Sequence, residues 1–209
     1  MLANKPYVIG LTGGIGCGKS EAARYLETLG AAHLDADEIS RALTAENGEA
    51  LGEIRRVFGD AAFRDDGTLD RARLGKLVFS SEPARRALEG ILHPLVQRDM
   101  LKAMDEAAQA GASVVILDVP LLFETGMDAL CDETWALSVP MERQVTRIVA
   151  RDGLSPEDAV ARIESQMPLE ERNARAIYVI NTDRPLERTQ AEMEQLYRAA
   201  QKRAEKNQI

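Results

Sequence analysis

Residues 12–20 read Thr12-Gly13-Gly14-Ile15-Gly16-Cys17-Gly18-Lys19-Ser20, directly after the apolar run Tyr7-Val-Ile-Gly-Leu11. The spacing is G-x-x-x-x-G-K-[ST], set between a predicted strand and a predicted helix, which is the phosphate-binding loop of nucleoside triphosphate proteins. Glycines at Gly13, Gly14, Gly16 and Gly18 let successive N–H groups of the loop converge on a polyphosphate. The helix beginning near Ser20 turns its positive end toward the same anion. Lys19 is placed to reach the β and γ phosphates of ATP, and the Ser20 hydroxyl to hold Mg²⁺. Cys17 is either a small filler in this loop or a thiol activated at a helix N-terminus.

Working outward, apolar runs of strand length alternate with stretches of helical period. Strands are expected at 7–11, 32–35, 113–118, 134–139 and 177–180. Such alternation predicts an α/β, three-layer P-loop fold with a five-stranded parallel sheet, in which crossover helices cover both faces. The segment 39–111 reads as helices only, at 39–45, 49–58, 71–79 and 82–110. A crossover needs about a dozen residues, so this one carries a helical insertion. Residues 151–175 form a second insertion. Ser155-Pro-Glu-Asp158 is a helix start and Met167-Pro168 a break, and the two short charged helices show little apolar stripe, the pattern of a lid. The expected organisation is one P-loop domain over 1–209, with core 5–38, 112–150 and 176–209, insertion 39–111 and lid 151–175. The closing helix, 185–206, should pack Leu186, Met193, Leu196, Tyr197 and Ala200 on the sheet.

Composition narrows the class. The chain has 209 residues, 45% hydrophobic and 29% charged, with 26 Lys+Arg against 34 Asp+Glu for a net charge of −8. That balance argues against coating nucleic acid or an anionic membrane, so any basic site is local. Two distant cysteines, Cys17 and Cys131, give no disulfide framework and no zinc spacing. With no signal-peptide pattern after Met1-Leu-Ala-Asn-Lys-Pro6 and no apolar run of membrane-spanning length, a cytoplasmic protein is expected, as a monomer or weak homo-oligomer. No N-K-x-D stretch marks a G protein and no L-S-G-G-Q stretch an ABC ATPase, which leaves the small-molecule kinases.

Acidic residues stand where such a kinase needs them. Asp35 and Asp37 follow the second strand, at the sheet edge that carries the phosphate loop. One can take the proton of an attacking hydroxyl, and the other can act on the metal shell or cap the next helix. Asp118 ends the third strand, either as a ligand to Mg²⁺-bound water or as a strand-end cap.

Taken in order, Leu11 to Ser20, Asp35-Ala-Asp37 with Arg41, Leu92-His-Pro-Leu95, Pro120-Leu-Leu-Phe-Glu124 and Gln144 to Asp152 resemble the dephospho-CoA kinase family over nearly the whole chain. The resemblance implies transfer of the ATP γ-phosphate to the ribose 3′-hydroxyl of 3′-dephospho-CoA, by a nucleotide core, a helical acceptor-binding region and a lid. It assigns residues 15–20 to the ATP phosphates and Asp37 to the general-base position. Arg41, His93 and Glu124 go to the acceptor, and Arg147 to the phosphates. His93, preceding Pro94, is expected in extended backbone. Where the family has Ala-Asp opening the last strand and Asn after it, this chain has Ala176-Ile177 and then Asn181-Thr182. Another small-alcohol or nucleoside monophosphate kinase, and a nucleotide-binding regulatory module, share the phosphate loop. Acceptor-dependent ADP release separates the three.

One compositional bias remains. The cations divide into 20 Arg and 6 Lys, and residues 141–175 hold Arg143, Arg147, Arg151, Arg162, Arg172 and Arg175 with no Lys. Arginine offers a planar fork for bidentate phosphate contacts. Arg147, then Arg151 and Arg172, are the arginines expected to act on phosphate.

Overall fold

The computed structural model describes residues 5–207; the reading of residues 1–4 and the last two positions of the expected domain lie outside them. Five strands form: β1 (Tyr7–Gly13), β2 (Ala32–Asp35), β3 (Val114–Asp118), β4 (Glu133–Ser138) and β5 (Tyr178–Asn181). They make one parallel sheet in the order β2-β3-β1-β4-β5. In register, Tyr7 pairs with Val114, Leu11 with Trp135, and Leu137 with Ile180. The central strands β1 and β3 are buried at every position, as continuous apolar runs require when both faces are covered. Gly10 is forced by this packing, since a Cβ there would meet Cys131 Sγ at 2.6 Å and Leu122 Cδ2 at 2.8 Å.

The chain divides into two compact units, residues 35–103 and the remainder. The larger unit is built on the sheet. On one face α1 (Lys19–Thr28) and α9 (Leu186–Asn207) bury Ala22, Ala23, Leu26, Met193, Tyr197, Ala200 and Ala204 against Ile9, Leu11, Trp135, Leu137 and Ile180. The α9 stripe follows the spacing of four and three residues that one helical face requires. Leu186 does not join it: at the first turn of α9 it is 43% exposed, because the stripe begins only further along the helix. Where β1, β4 and β5 begin, Glu133 accepts hydrogen bonds from Tyr7 (3.0 Å), Trp135 Nε1 (2.9 Å) and Arg203 (2.7 Å), so its buried carboxylate is fully engaged. Arg203 therefore serves structure at the edge opposite the phosphate loop.

The same unit contains α6 (Met141–Asp152), α7 (Pro156–Glu164) and α8 (Leu169–Arg175). Ser155 caps α7 by accepting from the Asp158 N–H at 3.0 Å, with Pro156 in the first turn. The pair α7–α8 is less solvated than its charge predicts: Ala159 is fully buried and Arg172 nearly so. The Asn173 side chain donates to Ser138 Oγ at 3.0 Å and ties α8 to β4.

The smaller unit is helical, with α2 (Ala36–Leu43), α3 (Leu51–Phe58), α4 (Arg71–Phe79) and much of α5 (Glu82–Gln109). Asp70 caps α4 through the N–H groups of Ala72 and Arg73, both at 3.0 Å. Arg98 forks onto both carboxylate oxygens of Glu49 at 2.7 Å. α5 runs unbroken through Pro94, so His93 is helical, which corrects the extended backbone expected of it. The cost of proline in a helix interior is one lost hydrogen bond to the i−4 carbonyl, here that of Gly90, plus a steric term. Burial of Val96, Met100 and Met104 along the same helix outweighs it.

Candidate active site

The phosphate loop takes its shape from glycine. Gly16 and Gly18 have φ of 80° and 87°, the left-handed region that side chains resist. The Cys17 N–H closes a turn on the Gly14 carbonyl at 3.1 Å. α1 then starts at Lys19 with no side chain capping it, which leaves first-turn amides available to an anion. Ser20 stands exposed in that turn. Cys17 is fully buried and burial pushes its thiol up, so it is a filler and not an activated nucleophile.

Asp118, at the end of β3, is 1% exposed and meets two side chains, Lys19 Nζ on Oδ1 and His33 Nε2 at 3.3 Å on Oδ2. Burial alone would push the Asp118 carboxyl up. The His33 hydrogen bond and the Lys19 ammonium outweigh it and hold the group below its ordinary range. In turn, the hydrogen bond to Asp118 raises His33, whose other ring nitrogen lies 3.3 Å from Glu27. His33 carried no motif, and only the tertiary contact reveals it. Between a metal-water ligand and a strand-end cap, Asp118 is seen holding side chains.

Four long-range side chains hold the phosphate loop. Gln144 of α6 donates to the Ile15 carbonyl at 2.8 Å, and Gln166, after α7, accepts from the Ile15 N–H at 2.9 Å. Arg147 donates to the Gly16 carbonyl at 3.0 Å and to the Thr182 carbonyl at 2.7 Å. Thr182 also donates its hydroxyl to the Cys17 carbonyl at 3.0 Å. Thr182 thus ties the end of β5 to the phosphate loop. Beside it, a cavity of about 320 Å³ is lined by Gly18, Tyr25, Arg147, Thr182, Arg184 and Gln190.

The six arginines of 141–175 have different surroundings. Arg143 pairs with Asp183 at 2.8 Å, Arg151 with Asp152 at 2.7 Å, and Arg175 with Asp128 at 3.7 Å. Arg151 is therefore neutralised by its own neighbour. Arg172 is 3% exposed, with Nη2 on the Met167 carbonyl at 2.8 Å and Nε without a partner.

In the smaller unit, Asp35 caps α2 by accepting from the Asp37 N–H at 2.7 Å and the Glu38 N–H at 3.3 Å. Of the two uses open to the second carboxylate, the structure shows capping. Asp37 itself is exposed in the first turn of α2. Arg41 Nε donates to the Asp37 carbonyl at 3.0 Å, and the Arg41 carbonyl accepts from Arg71 at 3.1 Å. His93 is exposed on α5. Glu124, in the larger unit, is exposed in the turn after β3 between the buried Phe123 and Met127.

A parallel sheet in this order, with a phosphate loop after β1 and the loop lysine on the acid that ends β3, defines a P-loop phosphotransferase. The sequence pattern of the family described as CoaE, dephospho-CoA kinase, matches residues 7–188. A dephospho-CoA kinase of Symbiobacterium thermophilum is 44% identical over 193 residues, 92% of this chain and 81% of the relative. Among solved structures, TT1252 from Thermus thermophilus is 38% identical with a TM-score of 0.79, the match covering 93% of this chain and 97% of that one. The dephospho-CoA kinase from Campylobacter jejuni, at 26% identity and a TM-score of 0.70, is covered to the same extents. The chain belongs to the dephospho-CoA kinase family, and its reaction is the ATP-dependent phosphorylation of dephospho-CoA, the last step of coenzyme A synthesis.

Proposed function

We propose that the phosphate loop, Gly13 to Ser20, holds the ATP triphosphate, with Lys19 on the transferring group and Asp37 as the general base. The reaction forms a bond from the ribose 3′-oxygen to the γ-phosphorus while the bond to the β–γ bridging oxygen breaks. ADP leaves with that electron pair, and the hydroxyl proton passes to Asp37. Arg41, His93 and Glu124 bind the acceptor. The pairing of Lys19 with Asp118 carries this reading: it holds the ammonium at the start of α1, ready to exchange a carboxylate partner for phosphate oxygens. Arg147 braces the loop against Thr182, and the cavity they share takes the adenine ring, whose flat apolar face suits Tyr25 and the Arg184 stem.

Mg²⁺ fits the donors present. A hard cation takes oxygen ligands, and the Ser20 hydroxyl supplies one while Asp118 supplies a nearly buried anionic oxygen pair. When bound, the ion screens the triphosphate charge. In water with Mg-ATP, the purified protein should release ADP only when dephospho-CoA is added, with CoA as co-product. ADP release that ignores the acceptor would refute the assignment.

Residues 151–175 are proposed to act as a lid. Gln166 reaches the loop from this segment, so its position is coupled to the shape of the nucleotide site. ATP and dephospho-CoA together should slow proteolysis within 151–175 more than either alone. Identical cleavage with and without both would exclude closure.

A further inference from the structure

The Arg172 side chain combines three features that do not suit a structural arginine. It is 3% exposed, its Nε is buried without a partner, and among the described residues no carboxylate lies within ion-pair distance of it. A buried guanidinium without a counter-charge is costly, and proteins keep one where an anion arrives. Its location names the anion. A Cβ placed on Gly14 would meet Gln144 Nε2 at 2.9 Å, Arg172 Nη1 at 3.1 Å and Gln166 Oε1 at 3.3 Å. The guanidinium therefore lies against the phosphate loop itself, and its field reaches the Cys17 thiol, which it lowers against the effect of burial.

Arg147 cannot fill the same role as it stands, because its fork is spent on the carbonyls of Gly16 and Thr182. Arg143, Arg151 and Arg175 are committed to carboxylates. Arg172 has its orientation set differently. Its Nη2 is fixed on the Met167 carbonyl at the Met167-Pro168 break, which aims the rest of the fork at Gly14 while Gln144 and Gln166 grip Ile15 on either side. We propose that Arg172 is the arginine that contacts the phosphoryl group in transfer, and that Gln144 and Gln166 are positioning residues that hold the loop to it. As the γ-phosphorus–oxygen bond to ADP breaks, charge gathers on the leaving and equatorial oxygens, and a fork already in place stabilises it.

This rests on the phosphotransferase reading, and the experiment separates the two. Steady-state kinetics of Arg172→Met and Arg172→Lys are compared with the unaltered protein, with kcat referred to the molecules that bind a fluorescent ATP analogue. Both variants should lose kcat by about 10²-fold or more, because an ammonium does not reproduce the fork. Mg-ATP affinity should change by less than about threefold, the pattern of an interaction made chiefly in the transition state. Arg172→Met should also unfold at a temperature no lower than the unaltered chain, since it removes an uncompensated buried charge. A purely structural arginine would instead lower the unfolding temperature and leave kcat per nucleotide-binding molecule unchanged, which overturns the proposal. Absence of acceptor-dependent turnover in the unaltered protein would overturn the activity. Turnover that the variants keep overturns only the Arg172 assignment.

Discussion

Lys19→Ala should abolish measurable CoA formation, with a loss of about 10³-fold or more in kcat. The Lys19 ammonium has no substitute, because backbone donors of the loop are fixed partial charges and cannot follow the γ-phosphate as it moves toward the acceptor. A second consequence comes from the pair it forms with Asp118. Side-chain exposures are 14% for Lys19 and 2% for Asp118, so the variant leaves a buried carboxylate supported by His33 alone. Removing one partner of a buried pair costs about 3–5 kcal/mol in fully enclosed cases, and the remaining His33 contact places this one at about 1–3 kcal/mol. Activity and stability can be separated. Lys19→Met combined with Asp118→Leu removes both charges and should recover much of the unfolding temperature, yet remain inactive. Recovery of turnover in the double variant would show that Lys19 acts by holding Asp118 and not by contacting phosphate.

Asp37→Asn is expected to lower kcat by about 10²–10⁴-fold, the range general-base catalysis supplies, with the affinity for Mg-ATP nearly unchanged. The amide keeps the shape of the carboxylate but cannot accept the hydroxyl proton. The cap of α2 should survive, because it is Asp35 that bonds the N–H of residue 37, whatever the side chain there. Isothermal titration with Mg-ATP beside steady-state kinetics reads both quantities. If nucleotide binding collapses together with turnover, Asp37 is a metal or nucleotide ligand and the base lies elsewhere.

Much of the site was readable because it is local. The phosphate loop, the Ser155 cap and the break at Met167-Pro168 each depend on residues within one turn or a few positions, where backbone preference and spacing speak directly. The five strands were readable for a related reason: apolar runs bounded by helical stretches admit few arrangements other than a parallel sheet. His93 shows the limit of local rules. The residue before a proline prefers extended backbone, but a 28-residue helix with buried Val96, Met100 and Met104 imposes its own.

What the amino-acid order determined by itself is therefore the class of fold, the triphosphate-binding loop and the family resemblance, all carried by spacing along the chain. Tertiary structure alone decided the partners. Lys19 meets Asp118 across 99 positions, and Gln166 meets Ile15 across 151. Of six arginines that look alike in sequence, folding pairs three with acids, spends Arg147 on carbonyls, leaves Arg162 exposed on α7 and buries Arg172 against Gly14 with no acid in ion-pair reach among the described residues. Charge type is written in the sequence. Desolvation and the identity of the nearest opposite charge depend on which distant segments come together, and those two quantities decide what each charge can do.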